Sequence, residues 1–299
     1  MRKFFLTLLV VSACAVTALA QNAPTLRVVT EDPNLPSEIF YGNTRVKPLR
    51  LRPGTNTPVT INDADFFVQQ QYVDFLSRFP DQAGFSFWTK QIADCGANAT
   101  CTDGQRTNTS GAFFLSIEFQ ETGFLVYKLT EASFNRRPVY SGFMPDTRKV
   151  ANGVVVGQGT WQALLETNKQ NFLNEWVARA EFLAEFPANM SPAAFVDKLI
   201  ANTGLAPATF GRDALVAALT NNTKTRAAVL REIAENAAFT TQEKNRAFVQ
   251  MQYFGYLRRD PDDAGFAFWL GKLNEHNGDF HSAEMVRSFI VSGEYLGRF

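Results

Sequence analysis

The sequence has few of the residues that usually build reactive or metal-binding sites. Its 299 residues include three cysteines and two histidines. His276 and His281 are five residues apart, so they do not share one helical face, although a loop could bring them and Asp279 around a metal ion. A surface loop explains them better, and we expect no metal and no cofactor.

Motifs that would indicate an enzyme are also missing. The chain has no G-x-S-x-G, no G-x-x-x-x-G-K and no H-E-x-x-H. A hydrolase that uses two carboxylates leaves no such motif, because acidic residues are plentiful and their distances are not visible in a sequence. Because no catalytic motif is found and nothing indicates such a hydrolase, we expect a protein that is not an enzyme.

Neither sign of charge is in excess, since 29 Lys and Arg balance 29 Asp and Glu. Proteins that bind nucleic acid carry a clustered basic excess, so nucleic acid is not expected as a partner. Beyond the first residues, no apolar run approaches the roughly 20 residues that span a membrane. We expect no membrane span in the mature chain.

The first 20 residues have the layout of a cleavable signal peptide. Arg2 and Lys3 precede an apolar run, and Ala18-Leu19-Ala20 precedes the predicted cleavage site. This predicts export to the periplasm, the cell surface or the extracellular space. A lipoprotein signal ending at Cys14 is a minor alternative, because small residues precede this cysteine.

Export leaves Cys95 and Cys101 as the two cysteines of the mature chain, separated by a short loop-like segment. In an oxidising compartment such a pair is more often a disulfide than a metal site, which would need further ligands. We predict a Cys95–Cys101 disulfide.

Two regions of different pattern follow the signal peptide. Residues 21–62 are rich in Pro, Asn and Thr, show no helical period, and are predicted to form an extended or irregular N-terminal arm with short extended segments. Its basic cluster, which includes Arg50 and Arg52, is interpreted as solvated. From residue 63 to residue 299 the apolar residues follow a helical period, which predicts an all-α domain.

The helical region contains a strong internal repeat. FVQQQYVDFLSRFPDQAGFSFWTKQI at residues 67–92 returns as FVQMQYFGYLRRDPDDAGFAFWLGKL at residues 248–273, with 14 of 26 positions identical. Proline ends the first helix of each copy, and the aspartate after it is a natural N-cap for the second. The aromatic residues at helical spacing are interpreted as core rather than as a ligand groove.

Each strong copy closes with Ser-x-Glu-aromatic, at Phe119 and at Tyr295. Weaker endings at Phe182 and Phe239 give spacings of 63, 57 and 56 residues between the four aromatics. We predict four degenerate units of about 57 residues, at residues 63–121, 122–184, 192–241 and 245–299.

The repeat also predicts a set of structural motif residues. Arg78 could pair with Glu118, and Arg259 with Glu294 in a partly buried ion pair. The predicted motif residues of the two strong copies are Tyr72, Arg78, Pro80, Asp81, Gly84, Trp88, Glu118, Tyr253, Arg259, Pro261, Asp262, Gly265, Trp269 and Glu294.

The main irregularity within the units is the stretch 138–159, which contains Pro145 and several glycines. It is interpreted as a long loop, and long loops in compact domains are often functional. This stretch is the basis of an alternative function, an envelope hydrolase or a ligand-binding protein.

The two FVQ motifs and the Ser-x-Glu-aromatic endings resemble the bacterial domain-of-unknown-function family numbered 4214 over about residues 63–299. The resemblance implies a helical fold similar to that of phycobilisome linker polypeptides, and it implies no catalytic residue. The favoured interpretation is an exported, non-enzymatic module whose stacked helical units bind a protein or an envelope polymer.

Overall fold

The computed structural model of the protein describes residues 26–29, 38–47 and 50–299. The predicted signal peptide, including Cys14, lies outside these residues. Within them the chain is dominated by helices, which confirms the all-α prediction, and the N-terminal arm contributes a small sheet.

The sheet of the arm is antiparallel, with the order β1 Leu26–Val29, β2 Glu38–Tyr41 and β3 Thr44–Val46. Strands β2 and β3 form a hairpin in which Tyr41 is opposite Thr44, so the turn has two residues. Gly42 begins this turn with a positive φ of 60°, as two-residue hairpins require.

The arm is joined to the helical region by Arg52. Its guanidinium contacts the carboxylates of Asp63, at 3.0 Å, and Asp65, at 2.7 Å, where α1 begins. Arg50 lies over the ring of Phe66, 4.8 Å from its centroid. Acidic and aromatic groups at the start of α1 thus contact these two arginines, while the Arg52 side chain remains 37% exposed, as a solvated cluster predicts.

The helices of the described residues have the following bounds: α1 Ala64–Leu76, α2 Gln82–Ala93, α3 Ala99–Leu115, α4 Ile117–Glu121, α5 Gly123–Phe134, α6 Tyr140–Ala151, α7 Trp161–Ala178, α8 Ala180–Glu185, α9 Pro192–Thr203, α10 Arg212–Thr220, α11 Arg226–Ala234, α12 Ala237–Gln252, α13 Asp263–Glu275, α14 Met285–Ile290 and α15 Gly293–Leu296. A 3₁₀ turn at Pro207–Phe210 precedes α10, and a π-helical turn at Tyr253–Leu257 prolongs α12.

Two local conformations recur along this series. A left-handed residue ends α1, α5, α9 and the π-helical turn; these residues are Ser77, Asn135, Gly204 and Arg258. An extended N-cap begins α4, α8, α12 and α15; these residues are Ser116, Arg179, Asn236 and Ser292. The aromatic residue three positions after each N-cap is at most 1% exposed. These recurrences support the proposal of four units.

Helix α5 is the centre of the fold. It packs against α4, α6, α9, α11 and α12, and its residues from Gly123 to Ser133 are all buried. The buried side chains of the described helices join in one hydrophobic core. The units therefore surround a common central helix, and the expectation of simply stacked units is wrong.

The first and fourth units also pack directly against each other, although they are far apart in sequence. The ring of Phe75 in α1 lies against Gly255 of the π-helical turn, where a Cβ atom would come within 2.7 Å of it. The same ring makes an edge contact with Tyr256, with centroids 5.2 Å apart. Glycine at position 255 is therefore required by this close approach.

The stretch 138–159 is not a long loop. Residues Tyr140–Ala151 form α6 even though Pro145 lies inside it. One face of this helix, with Phe143, Met144, Thr147 and Val150, is buried, and α6 packs against α5 and α7. Burial of this face outweighs the cost of the proline, so only about nine residues remain outside a helix before α7.

Candidate functional site

The Cys95–Cys101 disulfide is present and joins the loop after α2 to the first turn of α3. The sulfur atoms are 1.97 Å apart and the Cα atoms 5.5 Å apart. Asn98 within the loop caps α3, because its side-chain oxygen accepts a 3.1 Å hydrogen bond from the amide of Cys101. The bond thus holds the end of one helix to the start of the next.

The turn after each repeated proline is built identically in the two strong copies. Asp81 accepts a 2.9 Å hydrogen bond from the Gly84 amide, and Asp262 accepts one of 2.8 Å from the Gly265 amide. These carboxylates cap α2 and α13 as aspartate does at helix starts. Pro80 and Pro261 precede these caps and lie outside the helices.

The two glycines make room for the repeated tyrosines. A Cβ atom on Gly84 would overlap the hydroxyl oxygen of Tyr72, and one on Gly265 would overlap that of Tyr253. Both tyrosine side chains are buried, and burial raises the pKa of Tyr72 to about 12. Glycine is therefore required at positions 84 and 265, because any larger residue would overlap the hydroxyl of the neighbouring tyrosine.

The predicted arginine and glutamate pairs meet in the structure. Arg78 donates to both carboxylate oxygens of Glu118, at 2.7 and 2.8 Å, and Arg259 donates to both of Glu294, at 2.6 and 3.1 Å. The hydrogen bond from Arg259 lowers the pKa of Glu294. Each bridge joins the turn after the first helix to the closing helix of its unit.

The two bridges differ in burial. The side chain of Glu118 is 5% exposed and that of Arg78 20%, whereas Glu294 and Arg259 are 47% and 43% exposed. The expected partial burial is therefore found in the first unit and not at Arg259 and Glu294. We call each arginine–glutamate pair of this kind a closing bridge.

The second unit has a closing bridge that was not predicted from the sequence. Arg136 donates to Glu181, which is the glutamate of the weak ending Ala180-Glu181-Phe182. Arg78, Arg136 and Arg259 each also donate to the carbonyl oxygen of the next residue. A sequence signal for this bridge was available. In all three units an arginine stands two residues before a proline, and a glutamate directly precedes the closing aromatic residue.

The third unit lacks both members of the bridge. Leu205 follows the left-handed Gly204, and Ala238 precedes the closing Phe239. Removing only one partner would leave a charge without its counterpart, which costs more than losing both. In the third unit apolar residues thus stand at both positions that are charged in the other units.

The repeated tryptophans each pair with an exposed phenylalanine. Phe87 and Trp88 of α2 meet edge to face at 4.9 Å, and Phe268 and Trp269 of α13 at 5.0 Å. Trp88 and Trp269 pack partly against the core, as the core interpretation of these aromatics predicted. Phe87 and Phe268 are both 54% exposed, which the helical spacing of the aromatics did not indicate. We call these two pairs the twin aromatic surfaces.

The described residues also line a cavity of about 560 Å³, open to solvent on one side, among α4, α5, α7, α11 and the start of α12. Lys128 and Lys169, both buried, line it together with Trp161, the first residue of α7. A smaller cavity of about 310 Å³ lies between α3 and the segment before α14, and His281 lines it.

In the part of the chain that the structure describes, no cluster of three metal-ligating side chains is found. Neither His276 nor His281 therefore belongs to such a cluster. None of the described helices is both long and apolar enough to cross a membrane.

The comparison with known families matches residues 231–299 to the domain of unknown function (DUF4214). The matched segment begins in α11 and includes the second strong copy of the repeat, with its tyrosine, capping aspartate and closing bridge. No curated protein and no solved structure gives a significant match. Residues 231–299 thus carry a domain of the DUF4214 family, as the motifs in this part of the chain predicted.

Proposed function

We propose that the protein is an exported, non-enzymatic helical module that binds a repetitive polymer of the bacterial cell envelope through the twin aromatic surfaces. The signal-like N-terminus and the Cys95–Cys101 disulfide support export. The proposal rests on one observation, the equal exposure of Phe87 and Phe268 on two copies of the same helix.

These two rings are distinguished by recurrence and not by exposure alone. Singly exposed apolar side chains are normal on protein surfaces, but Phe87 and Phe268 are exposed to the same extent at the same position of both strong copies. At both sites the adjacent tryptophan fixes one edge of the phenylalanine ring and leaves the rest to solvent. The turn, glycine and capping aspartate that hold the two helices are also the same.

Two equal sites on one chain fit a partner that repeats along its length. Linking two weak sites raises the overall affinity, provided that one partner can reach both. An envelope glycan repeats in this way, and the apolar face of a sugar ring packs well on an exposed aromatic ring. A single-copy protein partner would need only one of the two surfaces.

The alternative, an envelope hydrolase or ligand-binding protein that uses residues 138–159, is weakened because α6 replaces the long loop on which it depends. The observation that still supports ligand binding is the cavity of about 560 Å³, whose wall includes Trp161 just after this stretch.

The test is sedimentation of the purified protein with insoluble envelope glycan from a bacterium. Phe87→Ala and Phe268→Ala should each weaken binding about tenfold, roughly 1.4 kcal/mol, and the double variant should weaken it by about a hundredfold or more. The matched control is Phe79→Ala, because Phe79 is 52% exposed but its counterpart in the fourth unit is Asp260.

Three outcomes are decisive. Loss of binding in the two single variants with an unchanged control supports the proposal. Equal binding of the double variant and the unsubstituted protein overturns it. Loss of binding in only one of the two single variants indicates a partner that uses one surface, such as a single protein.

A further inference from the structure

The cavity of about 560 Å³ lies where three of the four proposed units meet. Its walls come from α4 and α5, from α7, and from α11 with the start of α12. Its size lies within the range of pockets that hold small molecules, about 300 to 1,000 Å³. We call it the lysine cavity, after Lys128 and Lys169 in its wall.

Most charges around the lysine cavity compensate each other. Lys169 contacts the carboxylates of Glu121 and Glu235. Arg231 donates to Glu166, at 2.5 and 2.8 Å, and to Glu235, at 2.9 Å. Two cations and three carboxylates thus form one chain of ion pairs along one side of the cavity, and this chain has one negative charge in excess.

Lys128 stands outside this chain. Its residue is 6% exposed, and its ammonium donates a 2.9 Å hydrogen bond to the hydroxyl oxygen of Thr240. The nitrogen also lies 4.7 Å from the centroid of the Phe124 ring. Among the described residues no carboxylate forms an ion pair with it. An ammonium has three hydrogens to donate, so two remain for a group in the cavity.

The part of the cavity wall next to Lys128 is apolar. Phe124, Leu125 and Leu165 are buried side chains that line the cavity, and the half-buried Trp161 completes this apolar wall. Glu235 and Glu121 act on Lys128 only from beyond ion-pair distance. A cavity with an apolar wall and one cation that makes no direct ion pair is suited to a small molecule with an apolar body and one hydrogen-bond-accepting anionic end.

We propose that the lysine cavity binds a small monocarboxylate, whose carboxylate accepts hydrogen bonds from the Lys128 ammonium while its apolar body lies against Phe124, Leu165 and Trp161. At most a single negative charge suits the site, because the Lys128 ammonium makes no ion pair of its own, whereas the other charges of the wall are already paired. A dianion such as phosphate would add repulsion from Glu121, Glu166 and Glu235, which already line the same cavity.

Carboxylate binding should be linked to the protonation of Lys128. Burial lowers the pKa of Lys128 to about 8 in the empty cavity. A bound carboxylate favours the charged amine, so binding near pH 8 takes up a proton. Affinity should therefore be highest below pH 8 and fall as the pH rises above it.

The test uses 4-phenylbutyrate as the probe and 4-phenylbutanamide as its neutral counterpart, with isothermal titration calorimetry of the full mature chain. Binding of the acid should weaken at least about tenfold between pH 6.5 and pH 9.5, while binding of the amide should not change. At pH 8 the apparent enthalpy should depend on the ionisation enthalpy of the buffer, which reports the proton uptake.

Lys128→Met removes the charge and retains an apolar side chain of similar length. It should weaken binding of the acid more than tenfold and abolish the pH dependence. The control is Lys90→Met, because the Lys90 side chain is 70% exposed and lies outside the cavity.

Two results would overturn the inference: absence of acid binding at 10 mM probe in the unsubstituted protein, or equal binding of acid and amide at every pH. The pH series on the unsubstituted protein separates these results from the expected one even if Lys128→Met does not fold. Glycan binding through the twin aromatic surfaces is measured separately and does not depend on the outcome.

Discussion

Asp74 and Arg298 are 224 residues apart in the chain, and the Arg298 guanidinium donates a 2.8 Å hydrogen bond to the Asp74 carboxylate. The same oxygen accepts a 3.1 Å bond from Arg258. Arg298 also donates to the carbonyl oxygens of Gly255 and Tyr256 in the π-helical turn. The Asp74 side chain is 1% exposed, so this is a buried link between the first and fourth units.

Asp74→Asn should therefore destabilise the protein strongly. The substitution leaves two arginines near a neutral group, and breaking a buried ion pair typically costs about 3 to 5 kcal/mol. Urea denaturation followed by circular dichroism measures the loss. Asp94→Asn is the control, because Asp94 pairs with Lys90 on the surface and should change stability by less than about 1 kcal/mol. Equal effects of the two substitutions would contradict the structural role of Asp74.

The closing bridges should differ in strength according to their burial. A double-mutant cycle with Arg78→Gln and Glu118→Gln should give a coupling energy above about 1 kcal/mol, because Glu118 is 5% exposed. The same cycle at Arg259 and Glu294 should give about 0 to 1 kcal/mol, since both side chains are nearly half exposed. Added salt should reduce the second coupling more than the first. If the coupling energy at Arg259 and Glu294 exceeds that at Arg78 and Glu118, burial does not determine the strength of the closing bridges.

Gly84→Ala should destabilise the protein, because its Cβ atom would overlap the Tyr72 hydroxyl. The second unit provides a matched control at Gly142, the third residue of α6, where a Cβ atom would meet only Val139 at 3.8 Å. Gly142→Ala should stabilise by up to about 1 kcal/mol through helix propensity. Thermal unfolding measures both effects.

Removing the Tyr72 hydroxyl should rescue Gly84→Ala. Tyr72→Phe combined with Gly84→Ala should recover most of the lost stability, since the overlapping atom is then absent. If the double variant is no more stable than Gly84→Ala alone, the overlap with Tyr72 is not the cause of the loss.

The buried acids of the central core predict a pH-dependent stability. The Tyr127 hydroxyl lies 3.1 Å from Glu131 and 3.4 Å from Glu243, and Arg246 is 3.8 Å from Glu131. Burial raises the pKa of Glu131, and the Glu243 carboxylate raises it further. The folded state thus holds this proton more tightly than the unfolded state, and the stability that the proton contributes is lost as the pH rises through the raised pKa.

Glu131→Gln removes this titration while keeping an oxygen that can accept from Tyr127. Its melting temperature should exceed that of the unsubstituted protein at pH 8, and the difference should shrink as the pH falls towards 5. Glu175→Gln is a control on the surface, where hydrogen bonds from Lys149 and Arg179 lower the pKa of Glu175. That variant should lose stability relative to the unsubstituted protein as the pH rises. A pH-independent difference for Glu131→Gln would contradict the raised pKa.

The sequence predicted local features better than long-range ones. The N-caps at Asp81 and Asp262 were readable because capping depends on a few neighbouring residues. Helix α6 was missed because Pro145 is a local signal against a helix, whereas the burial that stabilises α6 comes from α5 and α7. The closing bridge of the second unit was missed because this unit keeps the proline and the glycine but lacks the tyrosine, the capping aspartate and the tryptophan of the motif.

The lysine cavity could not be predicted from the order of apolar and polar residues in the sequence. Lys128 and Lys169 resemble ordinary surface lysines of two helices. Their burial depends on how α4, α5, α7 and α11 are arranged around each other, which no periodicity describes. The same is true of Asp74, since its partners come from the far end of the helical region.

The central position of α5 has a consequence for how the chain folds. A helix that is buried on every side cannot reach its final environment until α4, α6, α9, α11 and α12 are all in place. None of the four proposed units can complete its core alone. No proposed unit should therefore fold to its final structure independently of the others, because each of them needs the shared helix α5 or the elements packed around it.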